Sequence, residues 1–168
     1  MKLSVIGVNA QKEKRFEKKG IHSAEDLLRY IPKSYKDYRQ LATHLIDGAE
    51  QACLVRVDEV KSFGQELRYK GSYVQTSSHV PMIIAHCTVL PSGEKLVITW
   101  FRQNYLFRKI STCTGQEVYV AGKVGYSEKY NNYTMTAPEI FAPAYGQAPG
   151  IRPVYAQIGG VSDAYLRE

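Results

Sequence analysis

Residues 95–110 read KLVITWFRQNYLFRKI, and the spacing of their apolar side chains changes period partway along. Lys95 to Phe101 alternates as a strand does, with Leu96, Ile98 and Trp100 on one face and Val97, Thr99 and Phe101 on the other. From Gln103 the interval becomes helical: Leu106 and Ile110 are four apart on one side, Tyr105 and Lys109 on another. A strand with two partly apolar faces that runs into a basic segment belongs in a small barrel with something to hold. Around that junction stand Phe101, Arg102, Tyr105, Phe107, Arg108 and Lys109. Unpaired nucleic acid uses this combination, π-faces for bases and cations for phosphates. The same rings also serve as core. Trp100 and Phe107 are read as core, Phe101 and Tyr105 as candidates for the surface.

Working outward, the chain turns β from Gln51. Strands are expected at about 51–62, 82–90, 95–101, 116–126 and 132–140, each rich in β-branched or aromatic residues. Turn signals bound them: Phe63-Gly64, Pro91-Ser92-Gly93, Gly115 and Asn131-Asn132. The short Pro-Ser-Gly-Glu link makes a hairpin of 82–90 and 95–101. Five strands, with one helical segment at 103–110 between the third and fourth, is the order of an OB-fold. That fold takes oligonucleotides on its strand 2–3 face, flanked by the loops joining strands 1–2 and 4–5. Here the first of those loops is the long stretch 63–79, with Arg68, Tyr69, Lys70 and Tyr73, and the second is 127–131, with Lys129 and Tyr130. Tyrosines number 13 against 5 phenylalanines, and tyrosine tolerates a wet edge, so the surface has more stacking platforms than a core needs.

Upstream, residues 3–31 read as helical. The segment from Gln11 to Gly20 is mostly charged, with Phe16 its one large apolar residue and Gly20 placed as a C-cap. Ser23 is expected to cap a second helix over Ala24–Tyr30, with Asp26 in the capping-box position; Leu27, Leu28 and Ile31 form its apolar face and Pro32 ends it. The connector 33–50 reads as irregular. Its Lys33, Tyr35, Lys36, Tyr38 and Arg39 suit either a phosphate backbone or a solvated linker. After the Gly/Pro/Ala stretch 146–150, Ser162 is expected to cap a helix starting at Asp163; that helix stops after one turn, as in a fragment of a longer protein.

Composition sets bounds on function. At 168 residues, 44% hydrophobic and 23% charged, the chain matches a soluble globular domain with a helical appendage. No apolar run approaches the roughly 20 residues of a membrane span, and no signal-peptide pattern opens the chain, so a cytoplasmic location and no membrane partner are expected. The net charge of +6 is spread evenly: ten Lys/Arg against seven Asp/Glu in 1–50, and the same in 51–145. Any binding face must therefore be assembled by folding rather than by a basic tail. Cys53, Cys87 and Cys113 form no CxxC pair, and the four histidines lack ligand spacing, which argues against zinc. No phosphate-binding P-loop occurs, since Gly122-Lys123 runs on into Val124, and no nucleophile-elbow or zincin motif is present. The segment by itself is not expected to be an enzyme or to hold a cofactor.

Three ordered blocks then resemble the N-terminal wedge region of the bacterial RecG helicase family. They are GIHSAEDLLRYIPKSYKDY at 20–38, TWFRQNYL at 99–106 and IRPVYAQIGGVSDAYLRE at 151–168. The chain departs from the family pattern at Gly7-Val8-Asn9-Ala10, where Gly-Val-Gly-Pro is usual, and at Ala156, where Pro is common; the loop 63–79 is also longer. The resemblance implies a wedge at a branched DNA junction, with ATP-driven motor domains in cis that use ATP and Mg2+ in the full-length protein. It places Phe101 and Tyr105 on the positions that stack on unpaired bases.

The expectation is thus an α+β chain: a helical hairpin and basic connector (1–50), a five-stranded OB-fold wedge (51–145) and an exit segment leading toward the motor (146–168). Its partner is branched DNA, a replication fork or Holliday junction, in recombination and repair, and it acts as a monomer. Phe101 and Tyr105 stack on bases. Arg102, Arg108, Lys109, Arg68, Lys70, Lys129, Lys33 and Lys36 touch the backbone. Two rivals are a stand-alone OB module for single-stranded nucleic acid and a protein-interaction barrel, since interfaces also favour Tyr and Arg.

Overall fold

The computed structural model describes residues 2–64, 66–69, 72–75, 81–156, 158–159, 161 and 163–166. In chain order the elements are α1 (Ala10–Glu17), α2 (Ala24–Leu28), β1 (Ser34–Asp37), β2 (Glu50–Phe63), β3 (Glu66–Tyr69), β4 (Ser72–Gln75), β5 (Met82–Leu90) and β6 (Lys95–Phe101). There follow α3 (Phe107–Ser111), β7 (Glu117–Ser127), β8 (Asn132–Thr136), β9 (Glu139–Phe141), β10 (Ile151–Val154) and α4 (Asp163–Leu166). They fall into two compact units, one of residues 1–37 with 151–168 and one of residues 38–150.

The larger unit is the OB barrel. β2 pairs antiparallel with β5, β5 with β6, β6 runs parallel to β8, β8 pairs with β7, and β7 returns to β2. β2 serves two neighbours because it is 14 residues long; a register shift between Val57 and Glu59 bends it where it leaves β7 and continues along β5. Inward residues of all five strands fill the interior, among them Val55, Ile83, Val89, Leu96, Ile98, Trp100, Val118, Val120 and Met135, while Ile110 of α3 plugs one end. The 132–140 strand breaks in two. Ala137 takes a left-handed φ of 45° and Pro138 has no N–H for the ladder, so β8 stops and β9 resumes along the same edge of β7 one residue out of register, opposite the edge that β2 holds. The loop 63–79 carries an antiparallel hairpin of its own, β3 with β4.

The smaller unit has its own core of Leu3, Val8, Phe16, Ile21, Ile158 and Val161. The helical stretch expected over 3–31, two helices joined at Gly20–Ser23, has those two and a further 3-10 turn ahead of them. Residues Leu3–Ile6 form a 3-10 turn that Gly7 ends at φ 82°, and Asn9 caps α1 through its side chain, accepting from the Lys12 N–H at 2.9 Å. Past α1 the left-handed Gly20 turns the chain and the Ile21 N–H bonds back to the Phe16 carbonyl at 3.1 Å. The capping box forms as read: Ser23 Oγ accepts from the Asp26 N–H at 3.1 Å, and Asp26 accepts from the Ser23 N–H at 3.0 Å. α2 nevertheless stops at Leu28, and only Leu27 of its expected apolar face packs inward; Leu28 and Ile31 are exposed.

The connector is not wholly irregular either. β1 pairs antiparallel with β10, Tyr35 opposite Pro153, a contact across more than a hundred residues. Tyr38, expected at a phosphate backbone, is instead buried in the larger unit against Ala52, Ala121 and Phe141, its hydroxyl on Glu50 at 2.5 Å. α4 starts at Asp163 as expected, while its cap Ser162 lies outside the described residues. Among the described residues no helix is long and apolar enough to cross a membrane.

Cys53 and Cys87 lie inside the barrel, and burial pushes both thiols up to about 12, whereas Cys113 is half-exposed after α3. The thiolate is the reactive form. Iodoacetamide on the native chain should therefore label Cys113 alone, with Cys53 and Cys87 labelled only after denaturation. Mass spectrometry showing rapid labelling of either under native conditions would contradict the barrel interior.

Candidate nucleic-acid interface

The site is built by one strand and the turn that leaves it. In β6 the burial alternates strictly, Leu96, Ile98 and Trp100 inward and Lys95, Val97, Thr99 and Phe101 outward. Trp100 is 3% exposed and Phe101 48%. Immediately afterwards Arg102 adopts a left-handed φ of 55°, and its N–H donates to the Pro81 carbonyl at 2.7 Å. That conformation is unfavourable for a residue with a Cβ, and here it ends the strand in one step. A 3-10 turn, Asn104–Leu106, then leads into α3, so the expected helix at 103–110 is present with a tightened first turn.

Periodicity places the side chains. Leu106 and Ile110, one turn apart, pack into the barrel, which leaves Tyr105, Arg108 and Lys109 outward. Tyr105 is 79% exposed. Phe107 was expected in the core and is not there. At 36% exposure it starts α3 between the inward Leu106 and the outward Arg108, one residue off the buried stripe. The exposed surface around α3 therefore carries three aromatic rings, Phe101, Tyr105 and Phe107, with Arg102, Arg108 and Lys109 beside them in sequence. Beneath α3 lies a cavity of about 330 Å³ lined by Trp100, Leu106, Lys109, Ile110, Pro138 and Ile140 among others.

A second patch sits at the β7–β8 tip. Tyr126 and Tyr133 meet edge to face at 5.2 Å, the Tyr126 hydroxyl bonds Asn131, and Lys129 Nζ lies 5.0 Å from the centre of the exposed Tyr130 ring. Between this tip and the outer face of β5 and β6 runs a groove of about 410 Å³ that includes His86, Lys95, Val97 and Tyr130. Its floor is tied by Asp58, which accepts from Thr88 Oγ1 at 2.6 Å and from Arg56 Nε at 2.9 Å, with Lys95 Nζ 3.8 Å away. The Thr88 hydroxyl, then Arg56 and Lys95, hold the Asp58 carboxyl below the usual range.

The remaining cations are dispersed. Lys33 is exposed and Lys36 half-buried, both in the smaller unit at β1. Lys70 lies outside the described residues, and of Arg68 only the backbone in β3, opposite Tyr73, is described. Sequence reading missed Phe63, which ends β2 rather than opening a turn and is 44% exposed. Local spacing carried little signal for it, since Val60, Lys61, Ser62 and Phe63 do not alternate apolar with polar. Gly122-Lys123 lies within β7, where a Cβ on Gly122 would meet Pro138 at 3.2 Å, and among the described residues no three His, Cys, Asp or Glu side chains converge on a metal.

Comparison with known proteins gives consistent matches. The protein-family model of the RecG wedge domain matches residues 3–168. An ATP-dependent DNA helicase RecG from Thermotoga maritima is 25% identical over 164 residues, which cover 96% of this chain and 19% of that protein. A solved structure of RecG bound to a three-way DNA junction superposes with a TM-score of 0.69 at 23% identity, covering 96% of this chain and 20% of that one, and shows the same fold. The chain thus spans about a fifth of the length of these relatives.

Two outcomes follow from the geometry. Trp100→Ala should cost about 3–5 kcal/mol of stability as a large core truncation, while Phe101→Ala should shift it by no more than about 0.5 kcal/mol; thermal melts of both variants decide it, and the reverse order would mean that the strand faces the other way. For Asp58, the lowered carboxyl pKa means that its stabilising contribution is full above the ordinary carboxylate value near 4. That contribution is lost as pH falls through the lowered value. The melting-temperature gap between the wild type and Asp58→Asn should accordingly be constant near neutrality and close in acid.

Proposed function

Because this chain belongs to the RecG wedge domain family, we propose that it is the branched-DNA-binding wedge of a RecG-like ATP-dependent DNA helicase. The observation that carries this reading is the pair Phe101 and Tyr105, both exposed beside Arg102, Arg108 and Lys109, while Trp100, Leu106 and Ile110 anchor the same segment in the barrel. Rings that stay in water although their neighbours are buried are set to take a new stacking partner. A base at a branch point has lost its own. The cations alongside supply the sequence-independent contact with phosphate.

In this reading the wedge contributes no chemistry. A rigid barrel end holds two aromatic faces where paired strands separate, so that duplex drawn toward it parts around them. ATP and Mg2+ act in motor domains elsewhere in the longer polypeptide, and the process served is remodelling of forks and junctions in recombination and repair. Arg68, Lys70 and Lys129 would extend the phosphate contacts from the two loops, and Lys33 and Lys36 from β1.

The test is a titration of fork, single-strand and fully paired DNA. Phe101→Ala with Tyr105→Ala should weaken fork binding about tenfold or more, since each stacked base is worth roughly 1–3 kcal/mol, and should barely change duplex binding. Fork affinity should also fall steeply with salt as phosphate contacts release counterions. A preference for linear single strands over forks would favour the stand-alone OB module, and no salt-dependent nucleic-acid binding would favour a protein interface.

A further inference from the structure

The register of the barrel puts a third aromatic on the same outer surface as Phe101. Phe101 of β6 pairs with Met82 of β5, and Met82 pairs with Phe63 of β2. Directly opposed residues in neighbouring strands share a face. That face is the outer one, because Trp100 opposite Ile83 fills the interior. Both phenylalanines are about half exposed and Met82 between them is half-buried, so the row is a continuous apolar shelf, Phe101–Met82–Phe63, open to solvent. Its length is two inter-strand spacings of about 4.8 Å, close to 10 Å in all.

Among the described residues, a cation adjoins each end of the shelf. Arg102 adjoins one end, and Lys61, in the next outward row opposite Ile84, adjoins the other. The nearest acid on β2, Glu59, is bonded to Lys61 at 2.9 Å with both side chains half-exposed. Such a surface pair is worth little and leaves the ammonium able to turn toward another anion. A polymer with flat apolar units and an anionic backbone matches this pattern of rings, thioether and cations. An apolar protein segment would have no use for the cations at both ends.

We propose that the row Phe101–Met82–Phe63 is a shelf for the unpaired DNA arm that leaves the branch point, with the first bases beyond Phe101 lying on Met82 and stacking on Phe63. This rests on the reading of Phe101 as a base-stacking residue and adds to it a defined path, across the strands from β6 to β2. The shelf takes roughly two to three bases, fewer than the roughly 4 nucleotides of the smallest OB-fold sites.

The experiment measures binding of the whole chain to forks whose unpaired arm grows from zero to about six nucleotides, well past the shelf's expected length. Wild-type affinity should rise until the arm reaches about three nucleotides and then level off. Phe63→Ala should remove about tenfold of that gain, the size of one stacked base, and leave the armless fork unchanged. Phe63→Tyr should restore the gain, and melting curves should show both variants folded. Quenching of a 2-aminopurine at the third arm position by wild type, and not by Phe63→Ala, places the base on the ring. Fork binding that depends on Phe101 and Tyr105 but not on arm length would overturn the shelf alone, leaving that face to a protein partner. Equal weakening of armed and armless forks by Phe63→Ala would do the same. An absence of fork binding at every arm length would overturn the shelf and the wedge reading together.

Discussion

Consecutive side chains of a strand leave on opposite faces, and in β6 this fixes the fate of two aromatic neighbours at once. Trp100 is held inside the barrel with Ile98 and Leu96, so Phe101 has to be outside. The left-handed turn at Arg102 then ends the strand before a further pair of residues can carry the chain away, and the 3-10 turn brings Tyr105 into the next few residues with Leu106 anchored below. Burial of Trp100 and exposure of Phe101 are therefore one constraint rather than two. The aromatic site exists because the core beside it is filled.

Barrel closure is what makes this constraint rigid. A two-stranded ribbon of β5 and β6 would leave Trp100 half in water. Closure through β2, which pairs along part of its length with β7 and along the rest with β5, surrounds the indole. The register shift at Val57–Glu59 is the device that lets one strand serve both neighbours, and it also sets which residues near the end of β2 point outward. The same closure buries Cys53 and Cys87 and leaves the Asp58–Thr88–Lys95 cluster on the outer surface.

Stiffness at the barrel end and looseness around it divide the labour. Phe101 stands on β6, which pairs with β5 on one edge and β8 on the other, and Tyr105 on a 3-10 turn anchored by Leu106, while Arg108 and Lys109 are exposed long side chains. Base stacking needs a defined plane. Phosphate neutralisation, on the proposed reading, needs only proximity, and cations spread over α3 and the β7–β8 tip suit it without being gathered into one pocket.

Much of this was legible in the residues. The alternation of β6, the switch to helical spacing after Gln103 and the five turn-bounded strands identified the OB barrel, and Trp100 inward with Phe101 outward followed from period alone. The Ser23–Asp26 capping box was readable because both partners are three residues apart. What the sequence could not decide depends on residues far apart in the chain. β1 and β10 look irregular in isolation, since SYKD and IRPV have no strand pattern until each supplies the other's hydrogen bonds. The break at Ala137–Pro138 shifts β9 one residue in register along β7, Leu28 and Ile31 stay exposed, and Phe107 falls just off the buried stripe of α3. Phe63 joins Met82 and Phe101 only through the pairing of three strands. Local spacing determines which face of its own element a side chain occupies; which other elements share that face is set by register and closure, and those belong to the tertiary structure.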